Sequence, residues 1–162
     1  MILAAFTLFH VVLSLIGIGS GFVVVYGLLA SKRLDGWTNL FLTTTVATSV
    51  TGFMFPVHKF TPGLALGIFS LIALTIAILA RYRFGLAGAW RRTYVVTAVI
   101  SLYFNFFVLI AQLFQKVPAL RAIAPTQSEP PFQMAQLAAL LLFLFLGILA
   151  AIKFRSESPR AV

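Results

Sequence analysis

The chain contains no cysteine and only three acidic residues, Asp35, Glu129 and Glu157. The first absence excludes disulfides, thiolate metal sites and cysteine nucleophiles. The second matters by position. None of the three acids lies inside a long apolar run, whereas proton-coupled carriers and pumps commonly keep a carboxylate within the membrane. Charge of either sign is scarce, at 9% of residues against roughly a quarter in a typical soluble domain. Phosphate loops, Gly-x-Ser-x-Gly elbows and HExxH zinc motifs are missing. So are an inverted repeat and the proline-broken pair of runs found in many secondary carriers.

What is present is apolar. Hydrophobic residues make up 61% of the 162 positions, and the mean hydropathy is +1.06. A fold of this length cannot bury so much apolar surface in one core, so lipid must face most of its outside. A soluble globular enzyme, a disordered chain and a nucleic-acid module are excluded, in spite of a formal charge of +9.

A bilayer core of about 30 Å takes about 20 helical residues. Five runs approach that length, at residues 2–30, 37–57, 63–80, 93–115 and 132–152. The third is the shortest. Unbroken apolar runs predict helices, since barrel strands would alternate polar and apolar residues. Turn and cap signals separate them: Lys32 to Gly36, then Thr61 before Pro62 as a helix start, then Ser128-Glu129-Pro130-Pro131. The first run is too long for a secretory signal and lacks its basic leader, so it is read as a span. The expectation is one all-α, polytopic transmembrane bundle of five spans over residues 1–162. Five spans put nine of the twelve basic residues on one side, leaving only Lys59, Lys116 and Arg121 on the other. The positive-inside rule then predicts the N-terminus outside and the C-terminus in the cytoplasm.

Small and weakly polar residues recur at helical spacing, as contact faces should: Thr7, His10, Ser14, Gly17 and Gly21 in the first run, and Thr97, Ser101, Asn105 and Gln112 in the fourth. Thr44, Thr48 and Thr51 mark the second, and Gly63, Gly67, Ser70 and Ala77 the third. Counting about 20 residues from the basic side brings His10, His58, Gln112 and Gln133 to one level at the outer edge of the hydrocarbon. Glu129 lies within about a turn of it. Polar groups at such depth are costly unless paired, which makes this layer a candidate ligand site. It suits the polar head of a small amphipathic molecule, or a partner helix. Two alternatives stand beside this reading. His10 and His58 would serve as the two axial ligands of a b-type haem in a haem- or quinone-linked redox subunit, or the stripes serve packing alone in a structural or assembly protein. A transition metal on His10, His58 and Glu129 lacks the spacing that metal motifs show. Nothing names a nucleophile, so no catalytic residue is assigned, and the expected partners are membrane lipids, a lipid-like ligand or a membrane subunit rather than nucleic acid.

Three segments carry a resemblance: Leu28 to Trp37, Thr48 to His58, and Ala124 to Phe132. In these the chain resembles a group of small multi-pass inner-membrane proteins of bacteria with no assigned activity. The resemblance implies a bacterial cytoplasmic membrane, and draws the eye to His58 and the loop around Glu129.

Overall fold

The structure is a computed structural model in which residues 1–56 and 61–155 are described. These contain helices and no strand. Helix α1 covers Ile2–Leu29, α2 Asp35–Gly52, α3 Pro62–Ile78, α4 Ala89–Lys116, α5 Pro118–Ile123 and α6 Pro130–Lys153. A single π turn, Leu79–Arg83, continues α3. Four helical stretches are long and apolar enough to cross a membrane: Ile2–Leu29, Pro62–Arg83, Ala89–Lys116 and Pro130–Lys153. The architecture is that of a multi-pass membrane protein.

The third run, the shortest by sequence, extends through its π turn to 22 residues. The second is the outlier instead. It carries six threonines and a serine among its 18 residues, and it ends at Gly52 rather than at 57. Pro56 explains the early stop, because a residue before proline is pushed out of the helical region. His58 lies outside the described residues. The sequence-predicted start of α3 holds: Thr61 Oγ1 accepts from the Leu64 N–H at 3.3 Å, with Pro62 in the first turn. Arg91 and Arg92 fall in the first turn of α4 rather than in the loop. The short α5, absent from the sequence reading, starts on Pro118.

Consecutive helices run antiparallel. Along α1 and α2, His10 meets Thr51, Gly21 faces Phe41, and Gly27 faces Leu34, so residue numbers rise on one helix as they fall on the other. At 18 residues, α2 is about 27 Å long. It runs about the same distance as the part of α1 between His10 and Leu29. The same opposition joins α2 to α3 through Phe53 against Gly67 and Ser49 against Ser70. It joins α4 to α6 through Phe114–Phe132, Tyr103–Phe143 and Tyr94–Phe154.

One end of the bundle is closed tightly. Gly21 is needed there, since a Cβ on it would lie 2.5 Å from Leu102 Cδ1. Arg81 follows Ala77 by four residues on the buried face of α3. Its guanidinium is buried, paired with Asp35 and set over the Tyr94 ring at 5.5 Å. Arg91 donates to the Phe154 carbonyl. Ser31 Oγ accepts from the Arg155 N–H at 2.9 Å. These contacts gather the turn after α1, the turn after α3 and the end of α6 at one end of the molecule.

Candidate ligand-binding cavity

The opposite half of the bundle is looser. Between Thr7 and Ile16, α1 has no buried residue, whereas from Gly17 onward most of its positions are buried. A cavity of about 550 Å³ opens where α1 to α4 diverge, within the roughly 300–1,000 Å³ typical of small-molecule sites. Helical spacing supplies its walls. Thr7, His10 and Ser14 come from α1, Thr48 and Gly52 from α2, Gly63, Gly67 and Ser70 from α3, and Asn105, Gln112 and Lys116 from α4. Each set repeats every three or four residues and so falls on one helix face. Between the polar groups the lining is apolar, with Val11, Leu15, Leu64, Phe104, Val108 and Leu109.

The floor is a hydrogen-bonded polar cluster. Ser14 Oγ donates to Asn105 Oδ1 at 2.7 Å, and Ser49 Oγ lies 3.3 Å from Ser70 Oγ. Toward the mouth, His10 Nδ1 is 2.8 Å from Thr51 Oγ1. The imidazole stands edge-on to Phe55, with ring centroids 5.1 Å apart. The Thr51 hydroxyl also lies 2.7 Å from the Ala47 carbonyl. A carbonyl cannot donate, so the one hydroxyl proton goes to Ala47, and His10 Nδ1 must bring its own. That defines the neutral tautomer: Nδ1 is the donor, and Nε2 keeps a lone pair. Among the described residues no group bonds Nε2.

Of the residues expected at the outer level, His10 and Gln112 share this cavity, and His58 lies outside the described residues. Gln133 and Glu129 do not line the cavity. Gln133 Nε2 donates to the Ser128 carbonyl at 2.8 Å. The Glu129 carboxylate accepts from Thr126 Oγ1 at 2.8 Å and from the Ser128 N–H at 3.1 Å. Partial desolvation raises the Glu129 pKa, but these hydrogen bonds, with those from backbone N–H groups, outweigh it and hold the carboxyl below its ordinary value. Equal depth was the basis for grouping these residues, and depth says nothing about the direction a helix face points. Helix α6 packs on α4 and α1 and adds no residue to the lining. Its Gln136 serves packing instead, donating to the Phe107 carbonyl at 3.2 Å.

Sequence reasoning counted Lys116 only as a loop charge, and Asn105 and Ser14 only as contact-face residues. The signal for all three was available. Asn105, Gln112 and Lys116 share one α4 face, and Ser14 follows His10 by one turn. Among the described residues no three His, Cys, Asp or Glu side chains gather as metal ligands.

The fold and cavity define the class: an all-helical membrane bundle with an amphipathic cavity enclosed by four helices. Comparison with protein-family models, curated proteins and solved structures finds no match to this chain.

Proposed function

We propose that the protein crosses the membrane five times, with its N-terminus outside and its C-terminus in the cytoplasm, and holds a small amphipathic, lipid-like molecule in the outer half of the bundle. The bacterial cytoplasmic membrane is the expected location, from the distribution of basic residues and the resemblance. Helix α2 counts as the fifth span because it runs antiparallel to α1 over about 27 Å, close to the thickness of the hydrocarbon. The observation that carries the ligand reading is the 550 Å³ cavity, mostly apolar, with His10, Gln112 and Lys116 toward its mouth and Asn105 at its floor. A helix is about 10 Å across with 5.4 Å per turn, so one turn occupies roughly 400 Å³. The cavity holds little more than that, which favours a small molecule over a partner's helix. The role proposed is binding rather than catalysis, since among the described residues the cavity hydroxyls of Ser14 and Thr48 bond to Asn105 and to a backbone carbonyl rather than to a base.

Mass spectrometry of small molecules co-purifying with the protein tests this. The wild type should retain a defined amphipathic molecule, and Val108→Trp, which fills the cavity, should lose it while keeping its melting temperature within a few degrees. Equal retention by both proteins rejects the cavity as the site.

One observation favours a second reading, a b-type haem or quinone-linked redox subunit. A histidine with Nδ1–H donated to an oxygen and Nε2 open is oriented as haem and metal ligands usually are. The second axial ligand would be His58. A visible spectrum of protein from haem-replete cells decides it: a Soret band abolished by His10→Ala establishes haem, and a colourless preparation excludes it.

A further inference from the structure

The hydrogen bonds around the cavity specify what the ligand must bring, given that the cavity is a ligand site. Ser14 has already spent its proton on Asn105 Oδ1. The Asn105 amide nitrogen turns back toward the Ser14 carbonyl, 3.5 Å away. The hydroxyls of Thr7, Thr48 and Thr51 are each committed to a carbonyl four residues earlier in their own helix, at 2.7–2.8 Å. Little donor capacity therefore faces the cavity below its rim. At the His10 level the Nε2 lone pair is an open acceptor, with Nδ1 donating to Thr51, and the Gln112 amide and Lys116 ammonium line the same mouth. His10 stands 19 residues before the end of α1 at Leu29, about 29 Å along the helix. That is the depth of a lipid headgroup boundary, with the apolar lining continuing below it through Leu15 and Leu109.

We infer that the cavity takes a long-chain alcohol, phenol or quinol, whose hydroxyl donates to His10 Nε2 while its hydrocarbon chain lies along the α1 and α4 walls. A quinone or an ether of the same length lacks that proton and binds less well at His10. Thr51 is a positioning residue: it accepts the Nδ1–H hydrogen bond and thereby selects, in the neutral ring, the tautomer whose Nε2 carries the lone pair.

The chain has two histidines, so the His58→Gln variant labelled with ¹⁵N-histidine reports His10 alone. In nanodiscs, the unliganded protein should show a protonated Nδ1 and an unprotonated Nε2. Adding 1-dodecanol should shift the Nε2 resonance. 1-Methoxydodecane, the same chain without the proton, should bind about three- to tenfold more weakly, the worth of one net hydrogen bond. Thr51→Val lets the ring carry its proton on Nε2, which can donate to either oxygen, so alcohol and ether should then bind with equal affinity. His10→Phe, which keeps the ring packing and removes both nitrogens, should equalise the two as well. Equal affinity for alcohol and ether in the wild type overturns the assignment, as does a protonated Nε2 in the unliganded protein. If neither compound binds, and Val108→Trp also changes nothing in the co-purified material, the ligand reading of the cavity itself has failed.

Discussion

At the scale of single residues, Arg81 and His10 show how one protein treats a buried and a half-buried polar group differently. Arg81 is wholly enclosed at the tight end, with a partner on each side: the Asp35 carboxylate and the Tyr94 ring. Removing one partner of a fully buried pair costs about 3–5 kcal/mol, because the other charge is left stranded. Here the Asp35 side chain is 64% exposed and that of Arg81 only 3%, so the two partners are not equivalent. Asp35→Asn strands the buried guanidinium and should cost about 3–5 kcal/mol, whereas Arg81→Met strands only an exposed carboxylate and should cost less. Thermal unfolding in detergent measures both, and a loss for Asp35→Asn no greater than that for Arg81→Met would mean that water reaches the guanidinium. His10 is left with one nitrogen open on a cavity, which is what a binding group requires. Arg81 was legible in the sequence only as one of several basic loop residues. Its place on the buried stripe, one turn beyond Ala77, carried the missing information.

At the scale of elements, α2 shows how a helix of low hydropathy can lie within a membrane bundle. Three of its six threonines bond within the helix. Thr44 donates to Leu40, Thr48 to Thr44 and Thr51 to Ala47, and each of these carbonyls lies in the same helix, so the polar cost is met locally. Thr38, Thr44, Thr45 and Thr48 are buried against neighbouring helices. What α2 turns outward includes Trp37, Leu40 and Val50. A window average of hydropathy mixes these two faces and hides the division. Helix α1 offers a sharper test of packing. Gly21 and Gly19 are two residues apart on the same helix, but a Cβ at 21 meets Leu102 and Phe41 at 2.5–3.0 Å, and a Cβ at 19 meets nothing within 4 Å. Gly21→Ala should destabilise by about 1–3 kcal/mol through overpacking. Gly19→Ala should be neutral or stabilise by up to about 1 kcal/mol through helix propensity. A comparative unfolding series reads both, and equal effects at the two positions would contradict the close approach of α1 to α4.

At the scale of the whole molecule, the bundle has two tiers, one packed and one open, and the packed tier is the end where the basic turns meet. Close approach of α1 and cross-links such as Asp35–Arg81 and Ser31–Arg155 hold the helices together there. At the other end α1 to α4 part around the cavity and are joined by the His10–Thr51, Ser14–Asn105 and Ser49–Ser70 hydrogen bonds. The absence of cysteine allows the threading to be tested cleanly with single introduced thiols. Gly36→Cys and Ala87→Cys should both resist a membrane-impermeant maleimide in intact cells and react after permeabilisation, whereas Ser128→Cys should react in intact cells. Labelling of Gly36→Cys and Ala87→Cys from opposite sides would break the five-span arrangement and remove α2 from the membrane.

The amino-acid sequence by itself determined that this is a helical membrane protein, roughly where its helices begin and end, and which face of each helix seeks a neighbour. Those properties follow from local composition and from the 3.6-residue period, which act within one element. Only the tertiary structure decided that His10 and Gln112 share a cavity while Gln133 and Glu129 do not, and that Lys116, Asn105 and Ser14 belong with the first pair. Rotation of each helix about its axis, and the spacing between helices, come from packing one face against another. Equal depth along separate helices carries no information about either.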